Sequence, residues 1–221
     1  MDQTIPLSQK LYLLGIHPEK GGLISSTYHA ISIVLAGALI LELFQNKNIR
    51  FENKKVVLLN DKTSYPLHRF VLEKIKQKPR PLKLGTWINK LRFSQKYIRE
   101  EALKDLVNRR LIKMEPRHFL FFRWEKSKLV NFQIIYRLIS EIENQIFKGT
   151  ENEEEIMFLS MLKPAGLLLR IFPEREKRKM ATKKLKKMMV DNQVSEAVSQ
   201  AISAAQAVAA SVAITAATAH K

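Results

Sequence analysis

The chain has no cysteine in 221 residues. Disulfides and thiolate metal sites are therefore excluded. Glycine is scarce, seven in all, and none sits in a phosphate-cradling loop; Gly21-Gly22 reads as a turn. The five histidines (His17, His29, His68, His118, His220) are scattered without metal-ligand spacing. Glu153–Glu155 reads as a helix start, where carboxylates complement the helix dipole, rather than as a catalytic acid–base pair. No enzyme signature, cofactor motif or metal site emerges. The N-terminus MDQTIPLSQK lacks a basic region followed by an apolar run, so no secretory signal is expected. Internal repeats and lipidation motifs are absent.

Two long uncharged segments stand against these absences. They are Leu23–Leu41 (LISSTYHAISIVLAGALIL) and Ala197–Ala219 (AVSQAISAAQAVAASVAITAATA). Each is long enough to span a bilayer. The second is mostly Ala, Ser, Gln and Thr, whose transfer into lipid gains little. The first carries Ser25, Ser26, His29 and Ser32 among its aliphatics. Both are expected to be buried helices at the centre of a bundle, where an all-round apolar surface is also at home.

The net charge is +17, and it is concentrated. Residues 74–110 hold twelve Lys/Arg against three Asp/Glu, and residues 170–187 hold nine against two. The rest of the chain is almost neutral. Such localisation favours an anionic partner, membrane surface or nucleic acid, over a merely soluble face.

The coarse pattern is helical. Ser8 is expected to cap a short helix through Leu11 and Leu14. Ile49–Phe51 and Val56–Leu58 flank a polar turn, a small hairpin. Leu67, Val71 and Ile75 keep helical spacing after Pro66, and Leu84, Ile88 and Leu91 do so after the stiff Pro79-Arg80-Pro81. A helix over about 95–110 places Ile98, Leu103, Leu106 and Val107 inward. Lys96 and Arg99 share a face one turn apart. Ile112–Met114, Glu115-Pro116-Arg117 and His118–Trp124 read as strand, turn and strand. Ile135, Leu138, Ile142 and Ile146 make the next helix. Pro164 divides the one after it before Leu167–Phe172. From Arg175 to Met189, a narrow stripe of Leu185, Met188 and Met189 opposes many lysines. The expected class is all-α: one domain over 1–221, a central helical bundle wrapped by amphipathic helices, with two small β-hairpins.

The order of several strings resembles the Golgi phosphoprotein 3 family, whose domain also occurs in bacterial proteins. The strings are IPLSQKLYLLG (5–15), GLISSTYHAISIVLAGALILEL (22–43), REEALKDLVNRRLI (99–112), PAGLLLRIFP (164–173) and VSEAVSQAISAAQAV (194–208). The resemblance implies a helical domain with a protruding hairpin, no enzymatic activity and no cofactor. It also implies peripheral binding to membranes, in eukaryotic members through phosphatidylinositol 4-phosphate, and an adaptor role towards membrane-protein clients. The family's head-group pocket uses a Trp and three Arg residues. The Trp falls here on Thr27, the first Arg on Ala36, and the other two on Lys96 and Arg99. The selective half is lost, while Lys96 and Arg99 still offer charge to phosphate, Lys without the planar fork of Arg. These losses and the cysteine-free, lysine-rich composition lean towards a bacterial-type member.

The family hairpin falls on residues 112–124, where Phe119, Leu120, Phe121 and Phe122 offer a membrane contact or a homo-oligomer contact. The resulting expectation is a cytoplasmic, peripherally membrane-associated module for anionic head groups. Two alternatives from other classes remain. A helix followed by a hairpin also suits a winged-helix nucleic-acid binder, and a scaffold without lipid binding is the third.

Overall fold

The computed structural model describes residues 5–190 and 192–218, with side chains for all of these except 119 and 207–218. The described residues form eleven helices and two small antiparallel sheets. Their buried apolar side chains join one hydrophobic cluster.

Helix α1 (Leu7–Gly15) buries nearly all its length. Pro6 precedes it, and Ser8 lies inside the first turn rather than capping it. The Ser8 backbone N–H donates instead to Glu42 Oε1 at 2.6 Å. A buried carboxylate from a distant helix has replaced the local cap.

The first uncharged segment is not one helix. Leu23 pairs with Ile16 in an isolated bridge. Ser25–Tyr28 forms a short α2, and α3 begins at Ile31 and runs to Gln45. Ser25, Ser26, Tyr28 and His29 are exposed, so this stretch cannot lie in the core as a continuous cylinder. From Ile31 onward the expectation holds: residues 33–43 are buried without a break. At Gly37 a Cβ would collide with Ile202, so glycine permits close packing of α3 on α11 (Gln193–Thr218). Val198, Ile202 and Ala205 of α11 are buried; the rest of Ala197–Ala219 beyond 206 lies outside the described side chains. Among the described residues no helix is long and apolar enough to cross a membrane.

Strands β1 (Ile49–Glu52) and β2 (Lys55–Leu58) make the first hairpin, with Ile49 opposite Leu58. A two-residue strand β3 (Leu82–Lys83) joins β2, which the sequence pattern did not reveal. Helices α4 (Pro66–Lys76) and α5 (Leu84–Arg92) bury Leu67, Val71, Ile75, Leu84, Ile88 and Leu91, as their spacing predicts. Helix α6 (Gln95–Asn108) buries Ile98, Ala102 and Leu106, while Val107 is exposed. Helix α7 (Gln133–Lys148) buries Ile135, Leu138, Ile142 and Ile146.

Asn152 caps α8 (Glu153–Ser160), its Oδ1 accepting from the Glu154 and Glu155 amides. Glu153–Glu155 occupy that first turn. The chain breaks around Pro164 before α9 (Leu168–Ile171). In α10 (Arg175–Val190) the buried line is Ala181 and Leu185, with Met188 and Met189 at its margin.

The second hairpin corrects the expected turn. Strand β4 is Ile112–Phe119 and β5 is Phe122–Leu129, paired from Ile112↔Leu129 to Phe119↔Phe122. Glu115-Pro116-Arg117 lies within β4, and the turn is Leu120-Phe121. Pro116 is tolerated because a two-stranded ladder has only edge strands.

Candidate membrane-facing site

The inward stripe of α6 decides where its cations point. Burial of Ile98, Ala102 and Leu106 leaves Lys96 and Arg99 exposed. Among the described residues neither has an ion-pair or side-chain hydrogen-bond partner. Other cations of the helix are spent internally: Lys104 pairs with Glu101 at 2.5 Å and Arg109 with Asp105 at 3.0 Å.

Arg99 and Ser127 both act on Tyr12 of α1. Burial raises the pKa of the Tyr12 phenol, while the Arg99 charge and the nearby Ser127 hydroxyl oppose that rise. Ser127 pairs with Met114 in the hairpin ladder. After α6 the chain turns at Arg110, with φ 57°, and the Leu111 amide donates to the Leu106 carbonyl just before β4. Seven residues of extended chain then carry the tip about 20 Å from Met114.

The hairpin base is locked and its tip is bare. Ile112 and Leu129 are buried. The Gly22 amide donates to the Ser127 carbonyl at 2.7 Å. Gly21 has φ 66°, and a Cβ there would approach that carbonyl to 2.7 Å. Gly21-Gly22 is thus a turn, as expected, and also the clamp on the hairpin base. Beyond it, Glu115 is flanked by Lys113, Arg117 and Lys128 at 3.1–3.4 Å. Hydrogen bonding from Lys113 leads in holding its carboxyl below the usual carboxylate range. At the tip, Leu120 is 76%, Phe121 97% and Phe122 72% exposed. Phe119 belongs to the last rung, and its side chain lies outside the described ones. Arg117, His118 and Arg123 stand beside the apolar tip.

Thr27 and Ala36, onto which the resemblance maps the Trp and first Arg of the family's pocket, are closed positions. Thr27 and Ala36 are fully buried. Thr27 packs where a Cβ on Gly15 would stand, one turn of α1 from Tyr12. Its hydroxyl has no hydrogen-bond partner among the described residues. Neither residue offers an aromatic face or a guanidinium, whereas Lys96 and Arg99 are exposed.

The second basic segment divides likewise. Arg170 donates to the Ile16 carbonyl, and its burial lowers its pKa. Lys177 pairs with Glu143 at 2.9 Å, and Arg178 donates to the carbonyls of Phe172 and Pro173 at 2.8 Å. Arg175, Lys183, Lys186 and Lys187 are exposed, without ion-pair partners among the described residues.

One feature escaped the sequence altogether. Glu42 Oε2 and His68 Nε2 lie 2.7 Å apart, both buried, in the wall of a 590 Å³ cavity that also borders Glu141, Glu154 and Glu155. Glu42 is the only hydrogen-bond partner of the His68 side chain among the described residues. Through Glu42 this pair ties α1, α3 and α4 together. Burial, the Glu42 charge and others nearby push the Tyr65 phenol far above its ordinary pKa. Among the described residues no cluster of three or more metal-ligating side chains forms.

The hairpin, the position of α6 and the central α3 set this arrangement apart from a generic helical bundle. The family model for Golgi phosphoprotein 3 (GPP34) matches residues 7–205. The chain belongs to the Golgi phosphoprotein 3 family.

Proposed function

We propose that this chain is a peripheral module for anionic membranes, a binding protein rather than an enzyme, acting as one domain at the cytoplasmic face. Lys96 and Arg99 take lipid phosphate, and the Leu120–Phe122 tip contacts the bilayer interface. The observation that carries this reading is the exposure of an unpaired Lys96–Arg99 couple together with a bare apolar hairpin tip. Apolar anchoring and charge attraction reinforce each other at an anionic interface. The exposed cations of α10 add long-range attraction. Because Thr27 and Ala36 are buried, the site reads charge more than head-group identity, including that of phosphatidylinositol 4-phosphate. The same tip is available to a second copy of the chain, and a membrane-protein client fits the adaptor role of the family.

The test compares two charge reversals of equal size. Lys96→Glu with Arg99→Glu is expected to weaken vesicle binding at least about thirtyfold. Lys54→Glu with Lys55→Glu, at the exposed turn and first β2 residue of the first hairpin, is expected to cost only the small loss due to the overall field. Thermal melts must show both variants folded. Equal losses would remove Lys96 and Arg99 from the site.

A further inference from the structure

Phe93 stands where the chain passes from α5 to α6. It is 81% exposed, and among the large apolar side chains described only Phe121 is more so. Its place is fixed by the backbone. The Phe93 and Ser94 amides donate to the Lys90 and Leu91 carbonyls, and Ile98 N–H closes onto Ser94. Leu91 and Ile98, buried on either side, pin the elbow to the core. An ordered backbone therefore holds an aromatic ring in water, where any polar residue would serve the fold as well.

A single exposed phenylalanine is ordinary; its surroundings are not. The Arg92 guanidinium lies 5.2 Å from the Phe93 ring centroid. Lys96 follows three residues later and Arg99 three after that. One turn along α6, Tyr97 packs on Phe70 with ring centroids 4.5 Å apart, and Lys74 lies 4.8 Å from the Phe70 ring. Lys74, Lys90, Arg92 and Lys96 have no ion-pair partner among the described residues. The carboxylates on these helices near the elbow are Glu73, Glu100 and Glu101, and Glu101 is tied to Lys104. Aromatic rings among unpaired cations are the composition of a surface that sits at the head-group level of an anionic bilayer.

We propose that the α5–α6 elbow is a second membrane-contact point, at which Phe93 enters the interface of an anionic bilayer while Arg92 and Lys96 engage lipid phosphates. It rests on the reading that the chain binds anionic membranes. The elbow lies at the α6 N-terminus, on an element separate from the hairpin. Two anchors on separate elements would fix the orientation of the molecule, which one hairpin alone would leave free to swivel.

The absence of cysteine gives a clean test. Phe93→Cys provides the sole thiol of the full chain for an environment-sensitive nitrobenzoxadiazole label, with Lys54→Cys as the control position. Vesicles of equal parts phosphatidylcholine and phosphatidylserine are the probe. The label at 93 is expected to brighten, shift to the blue and be quenched by acyl-chain bromines; the label at 54 is not. Unlabelled Phe93→Ala keeps the net charge, so its affinity should fall about tenfold with an unchanged salt slope. If the wild-type chain binds these vesicles, but the label at 93 stays unshifted and Phe93→Ala binds normally, the elbow proposal is overturned and the membrane reading stands. If the wild-type chain does not bind, both fall. A response at 93 to single-stranded DNA and not to vesicles would overturn the elbow in favour of nucleic acid, whose bases also stack on aromatics.

Discussion

The two hairpins of this molecule obey different rules. The first, β1–β2, has four-residue strands, gains a third strand and buries Ile49 and Val56. Its turn residues Asn53 and Lys54 have φ 49° and 62°, the backbone of a hairpin turn with Asn in a position it favours. The second, β4–β5, has eight-residue strands buried only near their base, and its turn places Leu120 at φ 52°. Leucine pays a steric penalty in the left-handed region. The first hairpin places Asn and an exposed Lys at its left-handed turn positions. The other keeps a bulky apolar side chain where Asn or Gly would be more stable. A local rule broken at an exposed apolar tip points to function at that tip.

The sharpest contrast is expected in stability. Val56→Asp buries an unpaired carboxylate in the first hairpin and should lower unfolding free energy by at least about 3 kcal/mol. Leu120→Asp with Phe121→Asp should leave the melting temperature nearly unchanged, because both side chains already face water. Denaturant unfolding of the two variants checks this. A large destabilisation by the tip variant would mean that the tip packs against something in solution, a second copy being the first suspect.

Binding should invert the order. The tip variant is expected to lose vesicle affinity by about a hundredfold, two apolar anchors together with added negative charge. Sedimentation with anionic vesicles measures it. Retention of full binding would confine the membrane contact to α6 and the elbow.

The smallest effect is the most specific. Leu120→Gly should raise stability by about 0.5–1 kcal/mol, since glycine adopts this backbone without strain. The same change should weaken vesicle binding. Stability and binding moving in opposite directions at one residue would identify the strain as functional. Loss of both would mean that Leu120 supports the hairpin itself.

Much of the fold was legible because its signals are local. The spacing of Ile135, Leu138, Ile142 and Ile146 fixes a helix and its inward face, and Pro66 marks a helix start. The Lys96–Arg99 couple was legible as an i, i+3 pair. What was not legible depends on distant partners or on the breaking of local rules. Glu42 and His68 are 26 residues apart, and neither sits in a motif. Gly22 meets Ser127 across more than a hundred residues. The turn at Leu120-Phe121 was read five residues early, because Pro116 carries the conventional turn signal and the true turn carries none. Phe93 looked unremarkable in sequence, since the position of an aromatic relative to the core emerges only once Leu91 and Ile98 are seen to be buried.

Co-sedimentation with a matched vesicle panel tests the central claim most directly. The vesicles are neutral phosphatidylcholine alone, or phosphatidylcholine carrying phosphatidylserine or phosphatidylinositol 4-phosphate at equal total charge, with duplex DNA assayed at the same salt. The expected result is no binding to neutral vesicles, and binding to both anionic vesicles within a few-fold of each other that declines as salt screens the exposed charges. Failure to bind either anionic vesicle, with tight sequence-specific binding to DNA, would contradict it.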